Sequence, residues 1–172
     1  GSALATAQSG RVAAALRAAT GRDVELVEIV TAGDRSTAPV AALGVGVFVS
    51  ALRDALLAKE IDFAVHSYKD LPTAGQAELL VAAVPPREDP RDALISRDGR
   101  MLAELAPGAT VGTGALRRIA QLNALGRQLV VTPIRGNVDT RIGRVRGPQP
   151  DLDAIVLARA GLARLGRTAE IT

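Results

Sequence analysis

The stretch that decides the fold runs from residue 110 to residue 141: TVGTGALRRIAQLNALGRQLVVTPIRGNVDTR. It opens on the end of a strand, 110–112. A short glycine loop leads into residues 115–125, whose apolar positions recur at helical spacing and stop at Gly126. Residues 129–133 read as a second strand and residues 137–145 as a second helix. Outward from there the alternation continues. Residues 93–96 predict a strand and 101–105 a short helix; beyond a turn at 147–150 come a strand at 154–157 and a helix at 160–165, closed by Gly166. Alternating units of this kind imply an α/β fold, with helices on both faces of a mostly parallel sheet.

The N-terminal half has the same grammar. Residues 3–19 read as an amphipathic helix, with Leu4, Val12 and Leu16 toward one face and Gly21 just past the end. Residues 24–30 (VELVEIV) alternate apolar and acidic side chains, the pattern of a half-buried strand. A polar loop at 31–36 and a flexible turn at 44–47 precede a helix at 48–58, and strands are expected at 61–65 and 79–84. The segment 85–91 (PPREDPR) breaks every periodicity with three prolines and four charges. It divides the chain into an expected domain 1 at 1–85 and domain 2 at 86–172, with Asp89 and Asp92 shaping the hinge. The chain starts directly in a helix pattern and ends at Glu170, Ile171 and Thr172 without a closing element. Both domains are therefore expected to be incomplete here.

Composition narrows the function. The chain has 172 residues, 48% hydrophobic and 23% charged, which excludes a wholly disordered protein. Every apolar run is interrupted by Arg, Asp or Glu, and no basic patch leads into an apolar stretch at the start, so neither a membrane helix nor a signal peptide is expected. With no Cys and one His, a thiolate nucleophile is excluded within the chain, and no metal site is expected. Arg outnumbers Lys, 19 to 2, and the charge is uneven: residues 1–86 carry 7 positive and 9 negative side chains, residues 87–172 carry 14 and 9. The second half is where an anion would bind. Aromatic side chains are only 2%, too few to stack single strands, which argues against nucleic acid and for a small polyanion.

Three strings carry candidate chemistry. Gly112-Thr-Gly-Ala-Leu-Arg-Arg118 joins a strand end to a helix start, where free N–H groups and the helix dipole favour an anion. Two Arg in that first turn are unfavourable unless something negative is near; the competing reading is a solvated turn. Ile134-Arg-Gly-Asn-Val-Asp-Thr-Arg141 is built alike, placing Arg135 and Arg141 beyond the carboxyl end of a strand, where such sheets bind ligands and where Arg forks suit carboxylates. Surface arginines in an Arg-rich chain are the alternative. His66-Ser-Tyr-Lys-Asp70 follows an apolar strand, and Asp70 there reads either as a proton-transferring carboxylate or as a turn or helix-cap residue. His66 reads as a satisfied, partly buried histidine.

Together these strings resemble the hydroxymethylbilane synthase, or porphobilinogen deaminase, family. The matching stretches are 2–8 (SALATAQ), 31–35 (TAGDR), 66–72 (HSYKDLP), 87–92 (REDPRD), 112–118, 129–141 and 153–166, in the family's order over nearly the whole chain. The resemblance implies two periplasmic-binding-protein-like (type II) α/β domains, the third domain being absent from this chain. It also implies a cytoplasmic, monomeric transferase that condenses four porphobilinogens head to tail, with loss of ammonia, on a covalent dipyrromethane primer. Its partners would be porphobilinogen and linear oligopyrroles, with no nucleic acid or membrane. By motif position, Asp70 would be the catalytic acid, protonating the leaving amine and stabilising positive charge on the pyrrole intermediates. Ser2, Lys69, Thr113, Arg117, Arg118, Arg135, Gly136, Arg141 and Arg164 would bind the acetates and propionates of primer and substrate. Gly44, Val45, Gly46 and Phe48 would belong to a mobile loop.

The sequence departs from the family in places. The Cys that carries the primer lies in the family's third domain and is absent here; an opening strand and the end of domain 2 are expected outside this chain. Val45 stands where many members have Lys, and Gly114 and Ala115 replace a Ser pair. The competing hypothesis is a carboxylate-binding module of the same fold without catalysis, since fold alone does not separate the two. Asp70 discriminates, because a pure anion receptor gains nothing from a carboxylate facing its ligand.

Overall fold

The computed structural model describes residues 2–29, 49–75 and 77–172. The chain splits into two compact units, Gly1–Pro85 and Pro86–Thr172.

In the first unit, helix α1 (Ala3–Thr20) starts at Ser2, whose hydroxyl accepts from the Ala5 N–H at 3.2 Å. It ends at Gly21, where φ is +67° and the N–H donates to the Arg17 carbonyl at 2.9 Å, a left-handed cap that glycine adopts without strain. Leu4, Val12 and Leu16 are half-buried, and Ala13 is fully buried. Helix α2 (Ser50–Leu57) buries Ala55, and a 3-10 turn (Tyr68–Asp70) follows. The strands expected at 24–30, 61–65 and 79–84 differ from what is found: among the described residues of this unit none lies in a β-ladder. The alternating and apolar stretches are present, but a strand exists only when a neighbour shares its N–H and C=O groups. Without one, Leu26, Val27, Phe63, Leu80, Val81 and Val84 remain exposed.

The second unit is built on a four-stranded mixed sheet: β1 (Asp92–Ser96), β2 (Thr110–Thr113), β3 (Val130–Pro133) and β4 (Ala154–Ala158), in the order β1-β4-β2-β3. β2 pairs in parallel with both β3 and β4, and β1 pairs antiparallel with β4. Three helices, α3 (Leu116–Ala124), α4 (Val138–Arg146) and α5 (Arg159–Arg164), follow β2, β3 and β4 in turn.

Alternation along the strands sorts the core into two layers. Ala93, Ile95, Ile155 and Leu157 pack with Ile142 and Val145 of α4 and Leu162 of α5. Ala154, Val156 and Val111 pack with Leu122 of α3 and Leu105, and Leu94 and Leu102 lie against them. Helices therefore cover both faces, as expected for strands of nearly continuous apolar sequence. α3 leaves β2 toward one face, and α4 leaves β3 toward the other. At the carboxyl ends of these adjacent parallel strands the chain thus parts in opposite directions, the position at which open α/β sheets form a ligand crevice.

Candidate functional site

Both arginine strings meet at that crevice. The β2 strand ends at Thr113, whose carbonyl accepts from the Ile134 N–H at 3.1 Å and ties the two loops together. The loop after β3 turns at Gly136, where φ is +102° and an added Cβ would stand 2.8 Å from Thr140 Cγ2. Asn137 then caps α4: its Oδ1 accepts from the Thr140 N–H at 2.8 Å and from the Thr140 hydroxyl at 2.9 Å. One turn on, the Arg141 Nε donates to the Gly136 carbonyl at 2.8 Å. The Arg141 guanidinium is thereby folded back over the loop. A Cβ at Gly114 would come within 3.3 Å of Nη1 and 3.4 Å of Nη2.

The electrostatics are unbalanced. The Arg141 guanidinium is held below its ordinary pKa, first by burial and then by the positive charges of Arg118 and Arg135. Arg118 and Arg135 each repel the Arg141 guanidinium, and an anion entering there would relieve it. At the end of β2 the Thr113 hydroxyl is fully buried and, among the described residues, has no hydrogen-bond partner. Buried polar groups are nearly always satisfied, so this hydroxyl stands out from the rest of the unit's interior.

Arg117 and Arg118 are held otherwise than expected. The negative group that the first turn of α3 requires is Asp92, at the start of β1. Arg117 donates to both its carboxylate oxygens, at 2.9 and 3.0 Å, and Arg118 Nε donates to Oδ1 at 2.9 Å. Burial pushes the Asp92 pKa up, but the hydrogen bonds from Arg117 and Arg118 outweigh it, and the net direction is down. Asp89 likewise meets cations, Arg91 through three hydrogen bonds of 2.6–3.0 Å and Arg159 at 3.0 Å. Both carboxylates, taken from sequence as hinge residues, are counterions of arginines. The signal for Asp92 was present in the unneutralised Arg pair; its partner, 25 residues upstream, was not legible.

Arg164 occupies the last turn of α5, where its charge complements the helix dipole, and makes no ion pair among the described residues. In the first unit, Ser2 caps α1, while Lys69 and Asp70 are exposed on the 3-10 turn, with the Asp70 N–H donating to the Ser67 carbonyl at 2.9 Å. His66 is half-buried, its Nδ1 3.1 Å from the Ser67 carbonyl. Gly44, Val45, Gly46 and Phe48 lie outside the described residues.

A family model described as "Porphobilinogen deaminase, dipyromethane cofactor binding domain" matches residues 1–172. The chain belongs to the porphobilinogen deaminase family. It is 60% identical, over its whole length, to the porphobilinogen deaminase of Nocardia farcinica, covering 49% of that protein. It is 61% identical to porphobilinogen deaminase 1 of Streptomyces coelicolor, with 98% of this chain and 54% of that one covered. Against the Mycobacterium tuberculosis enzyme the identity is 59%, over all of this chain and 55% of the relative. The chain spans about half the length of the curated relatives it matches. The α/β architecture agrees with the family's periplasmic-binding-protein-like type II fold.

The crevice fits the group that the family model's description carries. Dipyrromethane bears several carboxylates, and the excess of guanidinium groups together with the unsatisfied Thr113 hydroxyl is the complement such a ligand needs. No group of three or more His, Cys, Asp or Glu among the described residues gathers to hold a metal.

Proposed function

We propose that this chain binds the dipyrromethane primer, and serves the stepwise condensation of porphobilinogen into a linear tetrapyrrole with loss of ammonia. The observation that carries this reading is the convergence of Arg118, Arg135 and Arg141 on the β2–β3 crevice beside the Thr113 hydroxyl. Arg118 and Arg141 bind carboxylates through paired N–H donors, and Arg135 adds charge at the mouth of the same loop. Thr113 hydrogen-bonds the ligand within the protein interior, where water does not compete. Gly136 and Asn137 fix the turn that aims Arg141. When bound, the dipyrromethane supplies the nucleophilic pyrrole carbon at which a chain can be extended. The chain carries no Cys, so its own residues hold the group by ion pairs and hydrogen bonds.

Asp70 is the residue for the chemistry. Its carboxyl, exposed on a short turn beside Lys69, gives a proton to the departing amine of porphobilinogen. Ionised again, it faces the positive charge that the departure leaves on the substrate. Ser2, Lys69, Arg117 and Arg164 belong to the same reading as contacts for the acetates and propionates of primer and substrate.

The test is Asp70→Asn in the protein as its gene encodes it. Turnover of porphobilinogen should fall by a factor on the order of a thousand or more, from loss of acid catalysis and charge stabilisation together, while bound dipyrromethane is retained. Undiminished turnover would remove Asp70 from the mechanism. Primer binding without any turnover in the unsubstituted protein would favour a carboxylate-binding module.

A further inference from the structure

We propose that Asp92 is a positioning residue of this site: it holds the Arg117–Arg118 pair in the geometry that receives a ligand carboxylate, and so raises anion affinity although it is itself an anion. The inference rests on the reading that the crevice binds carboxylates. Asp92 sits on β1, at the start of the strand, whereas the arginines sit in the first turn of α3. Its two oxygens receive three hydrogen bonds, two from Arg117 and one from Arg118 Nε, and Arg118 Nη2 lies 2.8 Å from Oδ1. The Arg118 side chain is only 11% exposed. It is thus fixed by burial and by a carboxylate that belongs to the rigid sheet, while Arg135 and Arg141 approach from the other loop.

Two forces compete here, and they predict opposite signs. By Coulomb's law alone, a carboxylate beside an anion site weakens binding, so neutralising it should tighten binding. By preorganisation, removing the anchor frees two long side chains, and Arg117 and Arg118 no longer wait in the binding geometry against the repulsion of Arg135 and Arg141. The structure favours the second. Arg117 and Arg118 begin a helix whose dipole opposes them, and among the described residues Asp92 is the acid paired with them.

The experiment compares the wild-type protein, as its gene encodes it, with Asp92→Asn and Asp92→Glu. Each is titrated calorimetrically with a dipyrromethane carrying acetate and propionate side chains, and separately with inorganic phosphate. Asp92→Asn should bind both probes about tenfold more weakly, the loss expected when charged hydrogen bonds are removed, despite one additional unit of net positive charge. Asp92→Glu, which keeps the carboxylate, should recover most of that affinity. Equal or tighter binding by Asp92→Asn overturns the proposal. If the wild type ignores the dipyrromethane, the proposed function fails, and the phosphate titration alone decides the role of Asp92 by the same signs. If Asp92→Asn does not fold, the Arg118 Nε–Hε resonance of the wild type decides: slow solvent exchange supports the anchor, and fast exchange overturns it.

Discussion

The guanidinium of Arg141 lies against the bare Cα of Gly114, where a Cβ would stand 3.3 Å from Nη1 and only 2.8 Å from the Ile134 carbonyl oxygen. The second contact is with backbone and has little room to give. Gly114→Ala should therefore push the loop off Ile134 and displace Arg141, weakening binding of a dipyrromethane carboxylate about tenfold, the scale of a charged hydrogen bond lost. Gly114→Ser should do the same, although it adds a hydroxyl. Calorimetric titration reads the effect; unchanged affinity in both variants would show that Arg141 does not depend on this glycine.

Gly136 is the other glycine with a structural obligation. Its φ of +102° is left-handed, and a Cβ would press on Thr140 Cγ2 at 2.8 Å. Thr140 is held by Asn137, and Arg141 anchors on the Gly136 carbonyl. Gly136→Ala is expected to cost about 1–3 kcal/mol of stability, the range for a non-glycine residue forced into this backbone region. Urea denaturation measures it. A cost below a few tenths of a kcal/mol would mean that the turn relaxes freely.

The second unit was legible from sequence because its signals are local and agree with one another. The runs at 110–113 and 130–133 are rich in β-branched residues, α3 stops short of Gly126 and α4 at Arg146, and Val111, Leu122, Ile142 and Val145 are buried. The antiparallel pairing of β1 with β4 was less visible, since strand direction is set by where the chain enters the sheet. In the first unit the alternation at 24–30 and the apolar runs at 61–65 and 79–84 led to an expectation of strands that the described residues do not form, because pairing is a property of two segments and a sequence pattern of one. The site shows the same division. The strand–glycine–helix pattern singled out Arg118, Arg135 and Arg141 as candidates. Asp92 and the capping Asn137 act through contacts that no motif spacing encodes.

Leu162 tests whether α5 is integral to the unit. It is fully buried against the layer that contains Ile155 and Val145. Leu162→Ala leaves a cavity beneath β4 and should lower unfolding free energy by about 2–5 kcal/mol, the range for large-to-small changes in a packed core. The crevice is built from the loops after β2 and β3 rather than from α5, so anion affinity in the folded fraction should stay within about threefold, as for separate sites that add independently. A loss below 1 kcal/mol would show that the site collapses around the smaller side chain.

Acid should unfold the second unit through carboxylates rather than through its interior. Asp153 Oδ2 accepts from the Thr110 N–H and the Thr110 hydroxyl, both at 2.8 Å, and its own N–H donates back to Thr110 Oγ1 at 3.1 Å. The Thr110 backbone bond, then the hydroxyl bond, hold the Asp153 carboxyl below its usual range, and Arg97 adds to this. Asp151 is lowered likewise by its hydrogen bonds from Arg144. A group whose folded pKa is depressed stabilises the fold above its unfolded value, about 3.9 for Asp, and that contribution is lost as pH falls through the folded pKa. Stability should accordingly be insensitive to these groups between pH 5 and 8, and decline below about pH 4. Asp153→Asn keeps one acceptor oxygen for Thr110 but cannot be protonated in this range. It should shift the urea midpoint at neutral pH and flatten the fall between about pH 4 and pH 2. An acid limb as steep as that of the wild type would show that Asp153 does not carry the transition.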